Sequence, residues 1–459
     1  MLAADTIAAI ATAPGEAAIG VIRVSGPAAL AIAARLFHPA APRSLEALPS
    51  HTVHLGQIRD PETGQPVDQV LLTLFRAPRS YTGEDVVEIS AHGGPVPLRR
   101  ILALCLAQGA RLAEPGEFTC RAFLHGKLDL AQAEAVMDVV SARTERGLDV
   151  ALGQLEGRLS ALVRAARDAV LPLVAHLEAT LDFPEEVPEM PRAAVAERIA
   201  DARASVERLL AGAQAGRLYR EGARVVIVGR PNVGKSSLLN ALLREERAIV
   251  TAIPGTTRDV IEEGANIHGV PLRAIDTAGI RQTDDPIEAI GVQRTLDQLA
   301  AADLVLAVFD ASQALEEDDR RLLERVRGRR VLLVANKCDL PRRADLTLLT
   351  ESLPGVPLVC VSAREGTGLP ALEEQVAEML LGGWRGQEAP LVASARHQAA
   401  LTAARAALQQ AAATLDAGLP LELATTDLRA ALDALGQVTG ESVSDALLAD
   451  IFGRFCIGK

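Results

Sequence analysis

A glycine-rich segment near the middle of the chain has the residue types and spacing needed to hold phosphate groups. Residues 229–236 read Gly-Arg-Pro-Asn-Val-Gly-Lys-Ser, which fits G-x-x-x-x-G-K-[ST] between a predicted strand and a predicted helix. In such a loop the backbone N–H groups face phosphate, Lys235 adds positive charge, and the Ser236 hydroxyl is suited to Mg²⁺. The segment therefore predicts a nucleoside triphosphate site.

A second motif indicates which base is bound. Asn336-Lys337-Cys338-Asp339 ends a predicted strand. A carboxylate at Asp339 can accept hydrogen bonds from N1–H and the 2-amino group of guanine, whereas adenine offers neither donor. Such a mismatch can reject the wrong ligand by about 10⁴-fold. With Ser362-Ala363-Arg364 supporting the base from the next strand, the sequence predicts GTP rather than ATP.

Two further segments are suited to the metal ion and the last phosphate. Asp276-Thr-Ala-Gly279 ends a predicted strand. We expect Asp276 to reach Mg²⁺ through water and the Gly279 amide to lie near the γ-phosphate. Residues 255–259 occupy the place of a switch loop, in which Thr257 is the predicted second hydroxyl ligand of Mg²⁺.

The residue that positions the attacking water is left open by the motifs. Ras-type proteins use a glutamine just after the Asp-x-x-Gly motif, but this chain has Ile280 there. The downstream candidates are Glu288, Asp284, Asp285 and Arg281. The transition state also needs a cation, and both Arg258 and a monovalent metal ion held by carbonyl oxygens and Asn232 are compatible with the sequence.

Composition limits the class of protein. The 459 residues correspond to about three domains. The net charge of −12 argues against nucleic-acid binding by bulk charge, although a local arginine patch remains compatible. Five scattered cysteines form no C-x-x-C pair, which indicates reduced thiols. There is neither a signal-peptide pattern nor an apolar run of about 18 residues, so we expect a soluble cytoplasmic protein without a membrane segment.

The elements that must hold the nucleotide motifs alternate between strands and helices. Over residues 222–383 we predict a Ras-like, doubly wound α/β P-loop domain. Its predicted parallel strands are 223–229, 272–279, 303–310, 330–337 and 357–363.

The flanking regions have other patterns. Residues 1–118 predict an α+β domain, with strands at 19–24, 70–75 and 85–90 and a helix at 97–108. Residues 119–221 and 384–459 have helical periodicity, with an acidic, proline-containing link at 182–191 and predicted helices at 396–417 and 424–452. We expect one discontinuous helical bundle with the α/β domain inserted, although two independent helical pieces are also compatible.

Read from end to end, the chain resembles the MnmE (TrmE) family of bacterial tRNA-modification GTPases. The most specific segments are YTGEDVVEI, PGEFTCRAFLHGKLDLAQAEAV and the terminal FCIGK. The resemblance implies an N-terminal folate-binding domain that also forms the homodimer, a discontinuous helical domain and an inserted GTPase domain.

The resemblance also implies an activity and partners. With the flavoprotein MnmG (GidA), as a heterotetramer, the family adds an aminomethyl or carboxymethylaminomethyl group at C5 of the wobble uridine of tRNA. The one-carbon unit comes from 5-formyl- or methylene-tetrahydrofolate, and GTP hydrolysis depends on potassium. With a net charge of −12, we expect the partner to carry most of the tRNA contact, the alternative being an arginine patch on the helical domain.

The resemblance assigns the nucleotide and metal residues by position. It implies that K⁺ is bound by Asn232, Thr251, Ile253 and Thr256, that Mg²⁺ is bound by Ser236 and Thr257, and that Glu288 holds the attacking water. The residues expected against GTP are Asn232, Val233, Gly234, Lys235, Ser236, Ser237, Thr251, Thr256, Thr257, Asp276, Gly279, Asn336, Lys337, Asp339, Ser362, Ala363 and Arg364. The catalytic candidates are Glu288, Lys235, Asp276 and Cys456.

The matching folate positions are Arg23, Glu88, Lys127 and Lys459. A carboxylate can bridge the N–H edge of a pterin, and cations suit the carboxylates of the folate tail. The chain has four lysines among its 47 basic residues, and two of them, Lys127 and Lys459, lie outside the nucleotide motifs. Cys456 is linked in the family to tRNA modification, although an ordinary tail thiol is equally compatible.

Parts of the sequence are also compatible with two other functions. A regulatory GTPase switch in ribosome or RNA assembly would share the GTPase domain, but no basic RNA-binding appendix follows it and aromatic residues make up only 2% of the chain. A non-catalytic scaffold is disfavoured because Lys235, Ser236, Asp276 and Asp339 are all present.

Overall fold

The structure is a computed structural model, and it describes residues 5–41, 44–245, 264–276, 298–384 and 392–459. The chain divides into two compact units. The first contains the described residues up to 137 together with 436–459, and the second contains the described residues between 138 and 435. The predicted fold class is confirmed, since an α+β part, a helical part and an α/β part with a phosphate loop are all present.

The first unit is built on a seven-stranded sheet in the described residues, in the order β3-β4-β5-β6-β2-β1-β7. Its elements are β1 (Ile7–Ile10), β2 (Ala17–Ser25), α1 (Ala29–Leu36), β3 (Phe37–Pro39), a short 3₁₀ turn (Leu45–Ala47), β4 (Thr52–Arg59), β5 (Pro66–Phe75), β6 (Val86–Gly93), α2 (Pro95–Ala107), β7 (Arg111–Leu112) and α3 (Glu117–Leu124).

Alternation along the strands puts one face of this sheet in the core. In β5, Val70 and Leu72 are buried whereas Leu71 between them is exposed. The buried face packs with residues of α1 and α2, such as Leu36 and Ile101. The three predicted strands and the helix of this region are confirmed. β1 was missed because its sequence, IAAI, is short and rich in alanine, which carries little strand signal.

Helices follow in the predicted places. They are α4 (Leu130–Ser141), α5 (Glu145–Leu155), α6 (Arg158–Asp182), α7 (Arg192–Ala211) and α8 (Ala213–Glu221). The acidic link at 182–191 separates α6 from α7, as predicted.

The α/β part of the second unit has a sheet in the order β13-β12-β11-β8-β10-β9. Its elements are β8 (Ala223–Val228), α9 (Lys235–Glu245), β9 (Gly264–Ile267), β10 (Val270–Asp276), β11 (Leu304–Asp310), α10 (Glu317–Val326), β12 (Val331–Asn336), α11 (Leu346–Ser352), β13 (Leu358–Cys360), α12 (Leu369–Leu381) and a short 3₁₀ turn (Gly382–Trp384).

The five predicted parallel strands are confirmed. β11 and β12 are buried along their whole lengths, which is why they read as continuous apolar runs. β9 pairs antiparallel with β10 and was missed. Because parallel strands end at one edge, the loops after β8, β10, β12 and β13 share one edge of the sheet.

Three helices complete the described chain: α13 (Ala395–Asp416), α14 (Leu421–Thr439) and α15 (Asp445–Gly453). α13 lies along α7, where Arg192 donates to the Leu419 carbonyl at 2.6 Å. The predicted helical segment 424–452 is confirmed except for a break, which divides it into α14 and α15. Gly440 has φ +92° and ends α14, and Ser444 then caps α15. Of the helices in the described ranges, none is long and apolar enough to cross a membrane.

Candidate functional site

The phosphate loop joins the end of β8 to the first turn of α9. Lys235 begins α9 and is only 9% exposed. Its Nζ donates to the carbonyl oxygens of Gly229 at 2.9 Å and Arg230 at 2.8 Å. Ser236 and Ser237 follow in the exposed first turn. A lysine ammonium beside a helix N-terminus forms an anion site.

The glycines of the loop are required by their neighbours. Gly234 has φ +97°, and a Cβ there would lie 2.2 Å from Nδ2 of Asn336. A Cβ on Gly229 would lie 2.4 Å from the Val308 carbonyl oxygen. The absence of a Cβ at these two positions therefore lets the loop pack against β11 and β12. It also lets the loop backbone approach phosphate closely.

Asn336 connects the phosphate loop to the base loop. Its side chain is almost fully buried. Its Nδ2 donates to the Val233 carbonyl at 2.8 Å, and its Oδ1 accepts from the Ala363 N–H at 3.1 Å. One amide therefore sets the spacing between the two halves of the site.

Lys337 makes a parallel connection. Its Nζ donates to the Asn232 carbonyl at 2.7 Å and to Asp310 at 2.6 Å. Asn232 and Lys337 both have left-handed backbones, with φ of 63° and 65°. Such conformations of non-glycine residues are costly and cluster at ligand sites. Burial alone would raise the pKa of the Asp310 carboxyl, but the hydrogen bonds from Lys337 and Ser312 outweigh it and lower that pKa.

The residues predicted to read the base occupy neighbouring loops. Asp339 is exposed beyond the end of β12. The Cys338 N–H donates to the Val361 carbonyl at 3.1 Å, which holds the two loops side by side. Ser362 is buried, and its N–H donates to the Thr367 carbonyl at 2.8 Å. Arg364 is exposed in the same loop.

Part of the predicted site lies outside the described residues. These positions are Thr251, Ile253, Thr256, Thr257, Arg258, Gly279, Arg281, Asp284, Asp285 and Glu288. The backbone of Asp276 is described at the end of β10, one strand away from the phosphate loop.

A second cluster forms around Arg23 in the first unit. Arg23 and Glu88 are opposite one another on β2 and β6, and the Arg23 NH2 group lies 2.7 Å from the Glu88 carboxylate. The guanidinium carbon lies 5.3 Å from the ring centre of Tyr81 and 5.6 Å from that of Phe118. The Arg23 NH1 group also donates to the Gly458 carbonyl at 3.4 Å. The structure thus brings two predicted folate residues together with the terminal segment.

The terminal segment is seated by its backbone. The Phe118 N–H donates to the Lys459 carbonyl at 3.2 Å, and the Gly116 N–H donates to the Cys456 carbonyl at 3.4 Å. The Cys456 thiol is exposed. Lys127 is exposed and donates to the Pro78 carbonyl at 3.2 Å, in the loop that carries Tyr81.

Sequence reasoning missed Arg121, the largest fully buried side chain among the described residues. It bonds to Asp5 at 2.6 Å, Glu117 at 2.9 Å and Glu84 at 3.1 Å. The Arg111 hydrogen bond and then Arg121 lower the pKa of Asp5. Burial alone would raise the pKa of Glu117, but hydrogen bonds from Arg111 and Arg121 help to lower it. The i, i+4 spacing of Glu117 and Arg121 was the available signal.

The fold and site define a P-loop GTP-binding protein, since the phosphate loop, the Asn-Lys-x-Asp loop and the supporting base loop meet at one edge of a parallel sheet. Two family models match the chain. The model described as the MnmE helical domain covers residues 130–456, and that described as the GTP-binding protein TrmE N-terminus covers residues 6–127. The chain belongs to the MnmE family of tRNA modification GTPases.

Relatives match over the whole length. The tRNA modification GTPase MnmE of Chloroflexus aurantiacus is 52% identical over 457 residues, covering 99% of this chain and 100% of that protein. The MnmE proteins of Symbiobacterium thermophilum and Geobacillus kaustophilus are 51% and 49% identical, and each match covers 99% of both chains. The predicted resemblance and the predicted class of enzyme, a GTP hydrolase of tRNA modification, are confirmed.

Proposed function

We propose that this protein couples potassium-stimulated GTP hydrolysis to the addition of an aminomethyl or carboxymethylaminomethyl group at C5 of the wobble uridine of tRNA. A flavoprotein of the MnmG type is the proposed partner, and a tetrahydrofolate derivative is the proposed one-carbon donor. The observation that carries the proposal is the Arg23–Glu88 pair, whose guanidinium lies near two aromatic rings and donates to a carbonyl of the terminal segment.

The chemistry of this cluster fits a folate. Glu88 can accept from the N–H edge of a pterin, and the Tyr81 and Phe118 rings supply apolar surface beside it. Arg23 is already neutralised by Glu88, whereas the Lys127 ammonium donates to a carbonyl oxygen. Lys127 is therefore the proposed contact for a folate carboxylate. When bound, the folate supplies the one-carbon unit.

The terminal segment has a proposed role in the modification step. The Lys459 carbonyl and the Gly458 carbonyl both contact residues of the Arg23 cluster. We assign Lys459 to the folate site and Cys456, whose thiol is exposed, to tRNA modification rather than to GTP hydrolysis.

For GTP hydrolysis we propose Mg²⁺ on Ser236 and Thr257, with Asp276 acting through water, and Glu288 as the residue that positions the attacking water. K⁺ would bind Asn232, Thr251, Ile253 and Thr256. It would place positive charge where other GTPases use an arginine. Support comes from Asn232, whose side chain is exposed beside the phosphate loop while Lys337 fixes its carbonyl. The proposed potassium site is tested by replacing K⁺ with Na⁺ in the GTP hydrolysis assay. Equal hydrolysis rates with the two ions would contradict a specific potassium site.

Partners are proposed from charge and exposed surface. A net charge of −12 favours a flavoprotein partner that carries most of the tRNA contact, in a heterotetramer. A homodimer through the first unit is supported by apolar side chains on β4 and β5. Val53, Leu55 and Leu71 are 58%, 49% and 43% exposed, and Leu55 lies opposite Leu71.

The domain boundaries are also a proposal. We assign folate binding and dimerisation to residues 1–118, the helical domain to 119–221 and 384–459, and the GTPase domain to 222–383. The packing of α13 along α7 supports a helical domain that is discontinuous in sequence.

The decisive experiment is calorimetric titration of 5-formyltetrahydrofolate into the full-length protein and its Lys127→Ala variant. Arg99→Ala is the matched control, since Arg99 is an exposed cation of the same unit that also donates to a carbonyl, that of Pro95. We expect saturable binding that Lys127→Ala weakens at least about tenfold, because a charged hydrogen bond is lost. Arg99→Ala should bind normally.

A different result would redirect the assignment. If the protein hydrolyses GTP but binds no folate, the regulatory switch in RNA assembly becomes the better function. If Lys127→Ala and Arg99→Ala bind equally well, the site does not use Lys127.

A further inference from the structure

Arg230, the second residue of the phosphate loop, is held by two carboxylates from outside the loop. Its Nε donates to Oδ1 of Asp319 at 2.9 Å, and its NH1 group bonds to the Glu316 carboxylate. The Arg230 side chain is 11% exposed and that of Asp319 is 1% exposed. None of the nucleotide motifs assigns a role to these three side chains.

The two carboxylates also start a helix. Glu316 is the N-cap of α10, where its side chain accepts from the Asp319 N–H and its own N–H donates to Oδ2 of Asp319 at 2.9 Å. Asp319 therefore uses one oxygen to begin the helix and the other to bind Arg230. Leu322 and Val326 fix α10 in the core beside β11. The guanidinium is thus tied to a rigid part of the domain.

The contacts of Arg230 with Asp319 and Glu316 form a tether at the N-terminal end of the phosphate loop. The other contacts that hold the loop do not reach this end. Asn336 and Lys337 hold the carbonyls of Val233 and Asn232, near the C-terminal end of the loop. At the N-terminal end, the Arg230 carbonyl itself accepts from Lys235 Nζ at 2.8 Å. The residue whose side chain is fixed by α10 therefore also supplies a backbone contact to the phosphate-binding lysine.

The Arg230 and Asp319 side chains are charged and largely shielded from solvent, whereas the Glu316 carboxylate is 62% exposed. Burial alone would lower the pKa of the Arg230 guanidinium, but its bonds to Glu316 and the charge of Asp319 raise it. Without Arg230, the Asp319 carboxylate would keep its helix bond and lose its cation. A buried charge left without its partner forces the surrounding structure to shift or to admit water.

We propose that Arg230 is a positioning residue of the nucleotide site, which fixes the N-terminal end of the phosphate loop through Asp319 and Glu316. Loss of the tether weakens binding of GTP and GDP in the folded protein, beyond any effect on stability. The inference concerns the GTP site and is independent of the folate and potassium proposals.

The test uses full-length Arg230→Ala and Asp319→Asn proteins, titrated with N-methylanthraniloyl-GDP well below their melting temperatures. We expect about tenfold weaker binding in each, because both variants lose the charge-assisted contact between Arg230 and Asp319. The double variant should be little worse than either single one, since both act through the same bond. Arg230→Lys should lie between wild type and Arg230→Ala, because an ammonium lacks the planar fork that holds two carboxylates.

Arg321→Ala is the matched control. Arg321 lies on the same helix, is 52% exposed, and is 3.8 and 3.7 Å from Glu317 and Asp318. It should bind the labelled GDP like wild type. Lowered melting temperatures with unchanged GDP affinity, or additive losses in the double variant, would overturn the proposal. If Arg230→Ala does not fold, Arg230→Lys decides: weakened binding supports the positioning role, and wild-type binding rejects it.

Discussion

The side-chain amide of Asn336 donates to the carbonyl oxygen of Val233 at 2.8 Å, so the strand end that carries the base motif also fixes the phosphate loop. The same amide accepts from the Ala363 N–H. An asparagine is suited to this place because it offers a donor and an acceptor on one short planar group. Loss of the Asn336 Nδ2 donor should therefore weaken nucleotide binding at the phosphate loop.

Asn336→Asp keeps the size of the side chain, replaces the NH₂ donor by an acceptor and adds a negative charge at a buried position. The carboxylate can still accept from Ala363, but it faces the Val233 carbonyl with a second acceptor. An unsatisfied buried carbonyl costs about 1–3 kcal/mol, so we expect GTP affinity to fall about tenfold or more. Equilibrium titration measures it. Asn240→Asp, at an exposed position on α9, should bind normally. Equal affinity in both variants would show that the Val233 contact does not shape the site.

Gly234→Ala tests the close approach between the phosphate loop and Asn336. The added Cβ would lie 2.2 Å from Asn336 Nδ2, at a φ of +97°. The loop must move, and a displacement of about 1 Å in a binding site can cost about 100-fold in activity. We expect a loss of this order in kcat/KM for GTP, measured by phosphate release.

Gly328→Ala is the control for backbone strain alone. Gly328 has φ +77° and no atom within 4 Å of the added Cβ. Its replacement should cost about 1–2 kcal/mol of stability and leave GTP turnover unchanged. If both glycine variants lost turnover equally, strain rather than the contact with Asn336 would be responsible.

The nucleotide site was largely predictable because its parts are local. The phosphate loop and the Asn-Lys-x-Asp motif each follow a buried parallel strand, and apolar runs such as VLLVAN in β12 mark those strands clearly. The spacing within each motif then fixes which groups face the ligand. What the sequence did not reveal was the use of Arg230, whose partners lie on a helix about 90 residues further on.

The first unit was less predictable because its site depends on long-range pairing. Arg23 meets Gly458 across a sequence separation of 435 residues. Arg121 meets Asp5 across 116 residues. Hydrophobic periodicity carries no information on such contacts. The folate residues were assigned by the family resemblance, and the scarcity of lysine gave independent support only for Lys127 and Lys459. The break at Gly440 was missed because apolar periodicity continues across it.

Arg121→Met should destabilise the first unit strongly and in a pH-dependent way. It leaves Asp5, Glu84 and Glu117 without their buried cation, which typically costs about 3–5 kcal/mol. The folded pKa values of Asp5 and Glu117 lie below their ordinary values. Their contribution to stability is therefore present above those ordinary values and is lost as the pH falls through the folded ones. The deficit should be largest near neutral pH and shrink below about pH 4.

Hydrogen exchange of the β1 and β2 amides measures this deficit within the first unit. Arg111→Met is the control, because Arg111 contacts Asp5 and Glu117 but is 44% exposed. Because the Arg111 side chain is partly solvated, water can replace some of its contacts, so its loss should cost less than that of the buried Arg121. A deficit for Arg121→Met that does not change between pH 7 and pH 4 would mean that packing, rather than charge, explains it.

Gly458→Ala tests whether the seated terminal segment serves tRNA modification. Gly458 has φ +97°, and an added Cβ would lie 2.5 Å from the Ile10 carbonyl oxygen. The segment must lift, which removes the Gly458 carbonyl from Arg23 and shifts Cys456 and Lys459. We expect tRNA modification with the proposed flavoprotein partner to fall at least about tenfold, while GTP hydrolysis by the protein alone stays normal. Gly453→Ala, with no atom within 4 Å of its Cβ, should retain both activities. If Gly458→Ala modified tRNA normally, the position of the terminal segment would not matter for tRNA modification, and the segment would have a packing role only.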